Sequence, residues 1–164
     1  MRHASDAANA WRNIARVGDA RTRVASLIVG AYHTAGQMER VAAKPFVDEE
    51  QLKRVTASDS APLLFQTEEA IKANDQARAC AIINRYGELR LPSRPVFDLM
   101  LKYAVSEDGA LHAEKYYRTV SEEFAATRPA FQWRQLAALA RVTASEHGYP
   151  APGYEEACHL LKTS

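Results

Sequence analysis

What the 164-residue chain lacks narrows the field first. It has two cysteines, Cys80 and Cys158, in no CxxC and no Cys/His cluster with zinc spacing, which excludes a disulfide-rich scaffold and a zinc finger. Its longest apolar runs, SLIVGAY and LLF, fall far short of the roughly 18 residues a membrane-spanning helix needs. Membrane insertion is therefore not expected. Seven glycines form no phosphate-cradling loop, and no GxSxG or HExxH occurs. Twenty-one basic residues offset twenty acidic ones, leaving a net charge of +1 and no global field to attract nucleic acid. Alternating apolar and polar runs closed by tight turns are missing too. The one Asp-Gly, Asp108-Gly109, leads into ALHAEKYYRTVSEEF, a helical pattern.

What is present is alanine. Thirty alanines exceed the 23 valines, isoleucines and threonines together, which predicts an all-α chain. Ser5 is placed as the cap of a first helix carrying Ala7, Trp11 and Ile14 on one face and stopping near Gly18. A helical stretch follows from Asp19 to about Ala43, with Gly36 a possible break and Pro45 the end; His33 within it reads as a packing histidine. A short helix is expected over Asp48–Val55. Further starts are marked at Asp59 or Ser60, Asn74-Asp75, Ser93, Ser106-Glu107-Asp108, Thr127 and Pro152-Gly153. Gly87 and Gly148 stand where a left-handed residue would close a helix. Short connections make neighbouring helices antiparallel hairpins.

Three helix starts repeat. Pro62, Pro95 and Pro129 lie 33 and then 34 residues apart, and Asp75 and Asp108 each follow a proline by thirteen. A period in the thirties with two helices per unit is the mark of a helical-repeat array. The expected domain is a single array of about four hairpins over 1–164, with an N-terminal hairpin at 5–43 and repeats at 60–92, 93–126 and 127–162.

The stretch FDLMLKYAVSEDGALHAEKYYRTV resembles a pentatricopeptide repeat, with Phe97, Asp98, Met100 and Leu101, a turn at Gly109, then Ala113, Tyr116, Tyr117 and Val120. Ala79, Ile82, Ile83 and Tyr86, followed by Leu91-Pro92-Ser93, keep the same order, and SLIVGAYHTAGQME is similar to the repeat's first helix and turn. The resemblance implies a non-catalytic, cofactor-free protein in the mitochondrion or plastid, acting as scaffold or binding subunit of a ribosome or RNA-processing complex. Its partners would be protein subunits and single-stranded or ribosomal RNA. It also implies that a polar side chain early in a repeat's first helix and another at the repeat's end read a base. Asp98 takes the first position and Ser93 lies near the second, although a carboxylate suits the first poorly unless it accepts from a base amine.

Arg94 and Arg128 recur at the same place in successive units, with Arg90 and Arg134 nearby. They read either as a phosphate-binding stripe or as solvated helix-start arginines. Near-neutral charge favours a second function, a protein-only adaptor such as an added subunit of a respiratory complex. A third, a helical metalloenzyme, rests on Glu156-x-x-His159, but a di-iron site requires a second such motif. Asp108 and His112 could pair across a turn, and His147 suits a helix C-terminus. The five arginines and two aspartates of the first 23 residues are faintly like an organellar presequence. Ala113, Tyr117, Val120 and Phe124 are expected to form one buried stripe, Trp133, Leu136, Ala140 and Ala144 another, and Cys80 to be a small core residue.

Overall fold

The computed structural model describes residues 2–36, 45–105, 111–149 and 153–162. They form helices α1 (Arg2–Val17), α2 (Ala20–Ala35), α3 (Glu49–Lys53), α4 (Ser60–Lys72), α5 (Gln76–Glu88), α6 (Arg94–Ala104), α7 (Leu111–Ala126), α8 (Pro129–Glu146) and α9 (Tyr154–Leu161). The fold class is all-α, and no strand occurs among the described residues. None of these helices is long and apolar enough to cross a membrane. Two compact units divide the chain, Met1–Pro45 and Phe46–Ser164.

Most helix starts follow from local chemistry. Asp19, Asp48 and Asp75 each accept a hydrogen bond from the backbone N–H three residues on, at 2.7, 3.0 and 3.0 Å, satisfying a donor the helix leaves open. Pro95 and Pro129 sit in the first turns of α6 and α8, where a missing N–H costs nothing. Two expected starts differ. Ser5 lies inside α1, three residues past its first, and Arg128 rather than Thr127 occupies the cap of α8. The Ser106–Asp108 start, the Asp108 half of the Asp108–His112 pair and Pro152 lie outside the described residues, as does the stretch from Gln37 to Lys44.

In the first unit α1 and α2 fold back on each other with an unusual division of faces. Thr22, Ser26, Gly30 and Thr34 recur every fourth residue, and Ser26 is the buried side chain of α2. A Cβ on Gly30 would meet the Trp11 Cβ at 3.2 Å, so small residues admit the tryptophan. Val24, Ile28 and Tyr32 lie on the opposite side of α2 and stay 58, 64 and 82% exposed. His33 is exposed as well, contrary to the expected packing role. Ile14 is 40% exposed, so the inward residue near the end of α1 is Ala15.

The second unit holds the main core. Leu63 and Ile71 of α4, Ile82 and Ile83 of α5, Met100 of α6, Val120 of α7 and Leu136 and Leu139 of α8 are fully buried. Each such side chain contributes about 1.5–3 kcal/mol relative to exposure. The stripe Leu136–Ala140–Ala144 is buried as expected with Trp133 at its half-exposed end, whereas on α7 Tyr116 is buried deeper than Tyr117. Cys80 is buried, its thiol pushed up to about 11 by loss of solvent, which makes it an inert core residue.

The contacts do not confirm a stacked hairpin array. In such an array each hairpin touches only its neighbours. Here α8 packs most extensively on α5 and also meets α4, α6 and α7, while α3 covers the other flank of α5. Alanines explain the choice: Ala79 and Ala81 of α5, with Ala137, Ala140 and Ala144 of α8, are all buried and let backbones approach. Gly87 completes this contact. It is not a helix stop, because α5 runs on to Glu88 and the left-handed residue is Arg90, at φ 55°. Trp133 lies over Gly87 so closely that a Cβ there would fall 2.5 Å from its ring.

Candidate nucleic-acid interface

The three repeated helix starts gather at one end of the second unit. A hydrogen bond of 2.7 Å joins the Ser60 Oγ, at the start of α4, to the Tyr86 hydroxyl in the last turn of α5. From Tyr86 a row of rings continues through Trp133 of α8 at 5.6 Å, Phe124 of α7 at 6.3 Å and Phe97 of α6 at 5.2 Å. Because these residues lie close to the ends of their helices, α4, α6 and α8 begin near where α5 and α7 end. Three positive helix ends therefore face the same side.

The expected site residues lie at two of those starts and behave differently. Ser93 caps α6 by position only; its hydroxyl makes no capping bond, and its carbonyl accepts from the Val96 and Phe97 amides at 3.1 and 3.2 Å. The Arg94 Nε donates to the Asp98 Oδ1 at 2.7 Å, an exposed pair one helical turn apart. The residue assigned to phosphate and the residue assigned to a base thus neutralise each other.

At the start of α8 the charges stay open. The guanidinium groups of Arg128 and Arg134 lie 5.0 and 5.5 Å from the Phe131 ring centroid, and neither pairs with a carboxylate among the described residues. Phe131 is half-buried and both arginines are exposed. The Gln132 Nε2 donates to the Phe124 carbonyl at 3.0 Å, fixing this turn against the end of α7. Sequence reading named both arginines and missed Phe131. The signal was available, since Arg-x-x-Phe-x-x-Arg sets Phe131 three residues from each arginine, a spacing at which side chains near a helix start can meet.

Of the catalytic candidates, the Asp108–His112 pair falls partly outside the described residues and the Glu156–His159 pair gains no further ligand among them. Glu156 and His159 are exposed on α9, and no three His, Cys, Asp or Glu side chains come together among the described residues. The His112 Nδ1 lies 3.5 Å from the buried Glu146 carboxylate of α8. His147 follows α8, its ring edge-on to Tyr103 at 5.4 Å. No family model, curated protein or solved structure matches the chain.

Proposed function

We propose that the protein is a non-catalytic binding subunit of an RNA-containing assembly, of the mitochondrial-ribosome or RNA-processing kind, and that it meets single-stranded RNA at the start of α8. The observation that supports this reading is the Arg128–Phe131–Arg134 cluster. A half-buried ring flanked by two unpaired guanidinium groups offers what a single strand needs, a stacking platform beside phosphate contacts. One base stacked on Phe131 would contribute about 1–3 kcal/mol. Arg94 and Asp98 take no part, because their pair carries no net charge toward a phosphate.

Binding of a labelled single-stranded oligoribonucleotide, followed by anisotropy over a salt series, tests this. Replacing Arg128 and Arg134 together with alanine should weaken binding and flatten the salt slope by about 1.4, at roughly 0.7 per lost phosphate contact. Phe131→Leu should weaken binding at unchanged slope, and Arg94→Ala should change little. Equal binding by wild type and the double variant would sink the reading.

A protein-only adaptor is the second reading, and the exposed stripe Val24–Ile28–Tyr32 favours it. Apolar surface of that kind on a charged hairpin is what a protein partner covers. Association in extract that survives ribonuclease and is lost in Ile28→Glu would support this reading over the first.

A further inference from the structure

We infer that a pocket among α3, α4 and α5 is a binding site for a small oxyanion, a compact phosphate or carboxylate compound. The cavity, of about 190 Å³, is lined by Gln51, Arg54, Val55, Gln66, Asp75 and Arg78. Its volume is below the roughly 300–1,000 Å³ of pockets that enclose drug-sized molecules, so the occupant has only a handful of heavy atoms. A nucleotide is too large.

The charges select the sign. Arg54 and Arg78 approach from different elements, the end of α3 and the first turn of α5, and neither forms an ion pair among the described residues. Asp75 is the one carboxylate in the lining, which leaves a net charge of +1. Its Oδ1 already accepts the Arg78 backbone N–H at 3.0 Å, and the start of α5 offsets part of its charge. Gln51 of α3 and Gln66 of α4 add amide donors to the lining, which also includes the buried Val55. Two guanidinium groups and two side-chain amides lining one small cavity are the donor types that hold a phosphate or carboxylate. Arg54 and Arg78 are both exposed, and neither makes a side-chain hydrogen bond or ion pair to another helix among the described residues.

The test uses the full chain at constant ionic strength, titrated separately with inorganic phosphate and with succinate, and follows backbone amide shifts. At least one anion should produce saturable shifts confined to Gln51, Gln66, Arg78 and their neighbours, with a midpoint on the order of 1 mM. The anion that saturates identifies the source as phosphate or carboxylate. Arg54→Gln with Arg78→Gln should weaken binding roughly tenfold or more, whereas Arg54→Lys with Arg78→Lys should retain part of it, keeping the charge and losing the forks. If the glutamine pair fails to fold, the lysine pair alone decides by its weakened midpoint. Unsaturated drift with both anions, or a midpoint unchanged in the folded variants, overturns the assignment.

Discussion

Gly87 shows at the scale of one residue how the core is specified. Alanine is the better helix former by about 1 kcal/mol, so propensity alone favours Gly87→Ala. The Trp133 Cβ would lie 2.8 Å from the new methyl, and a Cβ cannot swing away as a side-chain tip can. The substitution should therefore destabilise the protein, by about 1–3 kcal/mol in denaturant unfolding. Gly148→Ala, at φ 82° with no atom within 4 Å, should cost about 1 kcal/mol through the backbone alone. Glu68 carries the clearest pH signal. Its carboxylate accepts from the Lys102 Nζ at 2.5 Å and the Tyr103 hydroxyl at 3.0 Å, and the Lys102 bond chiefly holds its pKa below the ordinary 4.5. A depressed folded value means the stabilisation is complete above the unfolded value and disappears as pH falls through the folded one. Glu68→Gln should thus be less stable than wild type at neutral pH, by about 1 kcal/mol or less for so exposed a lysine. Thermal unfolding should show the two converging as the buffer is acidified below about pH 4.

Among the elements, the join between α4 and α5 is held from a distance. Asn74 has φ 54°, and its Nδ2 donates to the Ala144 and His147 carbonyls at 3.1 and 2.7 Å, tying this turn to the end of α8. Asn74→Gly preserves the turn and deletes both bonds, so it should cost about 1–3 kcal/mol. Asn74→Ala adds left-handed strain and should cost more, as chemical unfolding of the two variants side by side would show. Helix bounds of this kind were largely readable in sequence, because caps and first-turn prolines act over three or four residues. Ser5 misled because a good capping residue caps nothing when the helix has already begun. His33 misled because an apolar helix need not be a buried one. The Arg94–Asp98 pair obeys the i, i+4 rule, so the sequence itself carries it.

For the whole molecule, the proline period located three helix starts and said nothing about which faces meet. Partner choice depends on complementary surfaces far apart in sequence, here the alanines of α5 and α8 with Gly87 opposite Trp133, and no local pattern records that. The two units also differ in what they bury. The main hydrophobic cluster lies wholly within residues 46–164, whereas the first unit buries Asp6, Ala15 and Ser26 and leaves an apolar cavity of about 440 Å³ beside Trp11. A fragment of residues 46–164 should unfold in one cooperative transition, and a peptide of residues 1–45 should show only partial helicity by circular dichroism. Charge divides along the same line: seven basic and three acidic residues through Pro45 give +4, fourteen and seventeen beyond it give −3. The place of α8 bears on how this chain could have changed over time. A stacked array lengthens by duplicating a hairpin, since each copy presents the next with the face it received. A helix that closes over α4, α5, α6 and α7 at once leaves no such face, so another 33 residues spliced in before it would part the core instead of extending it.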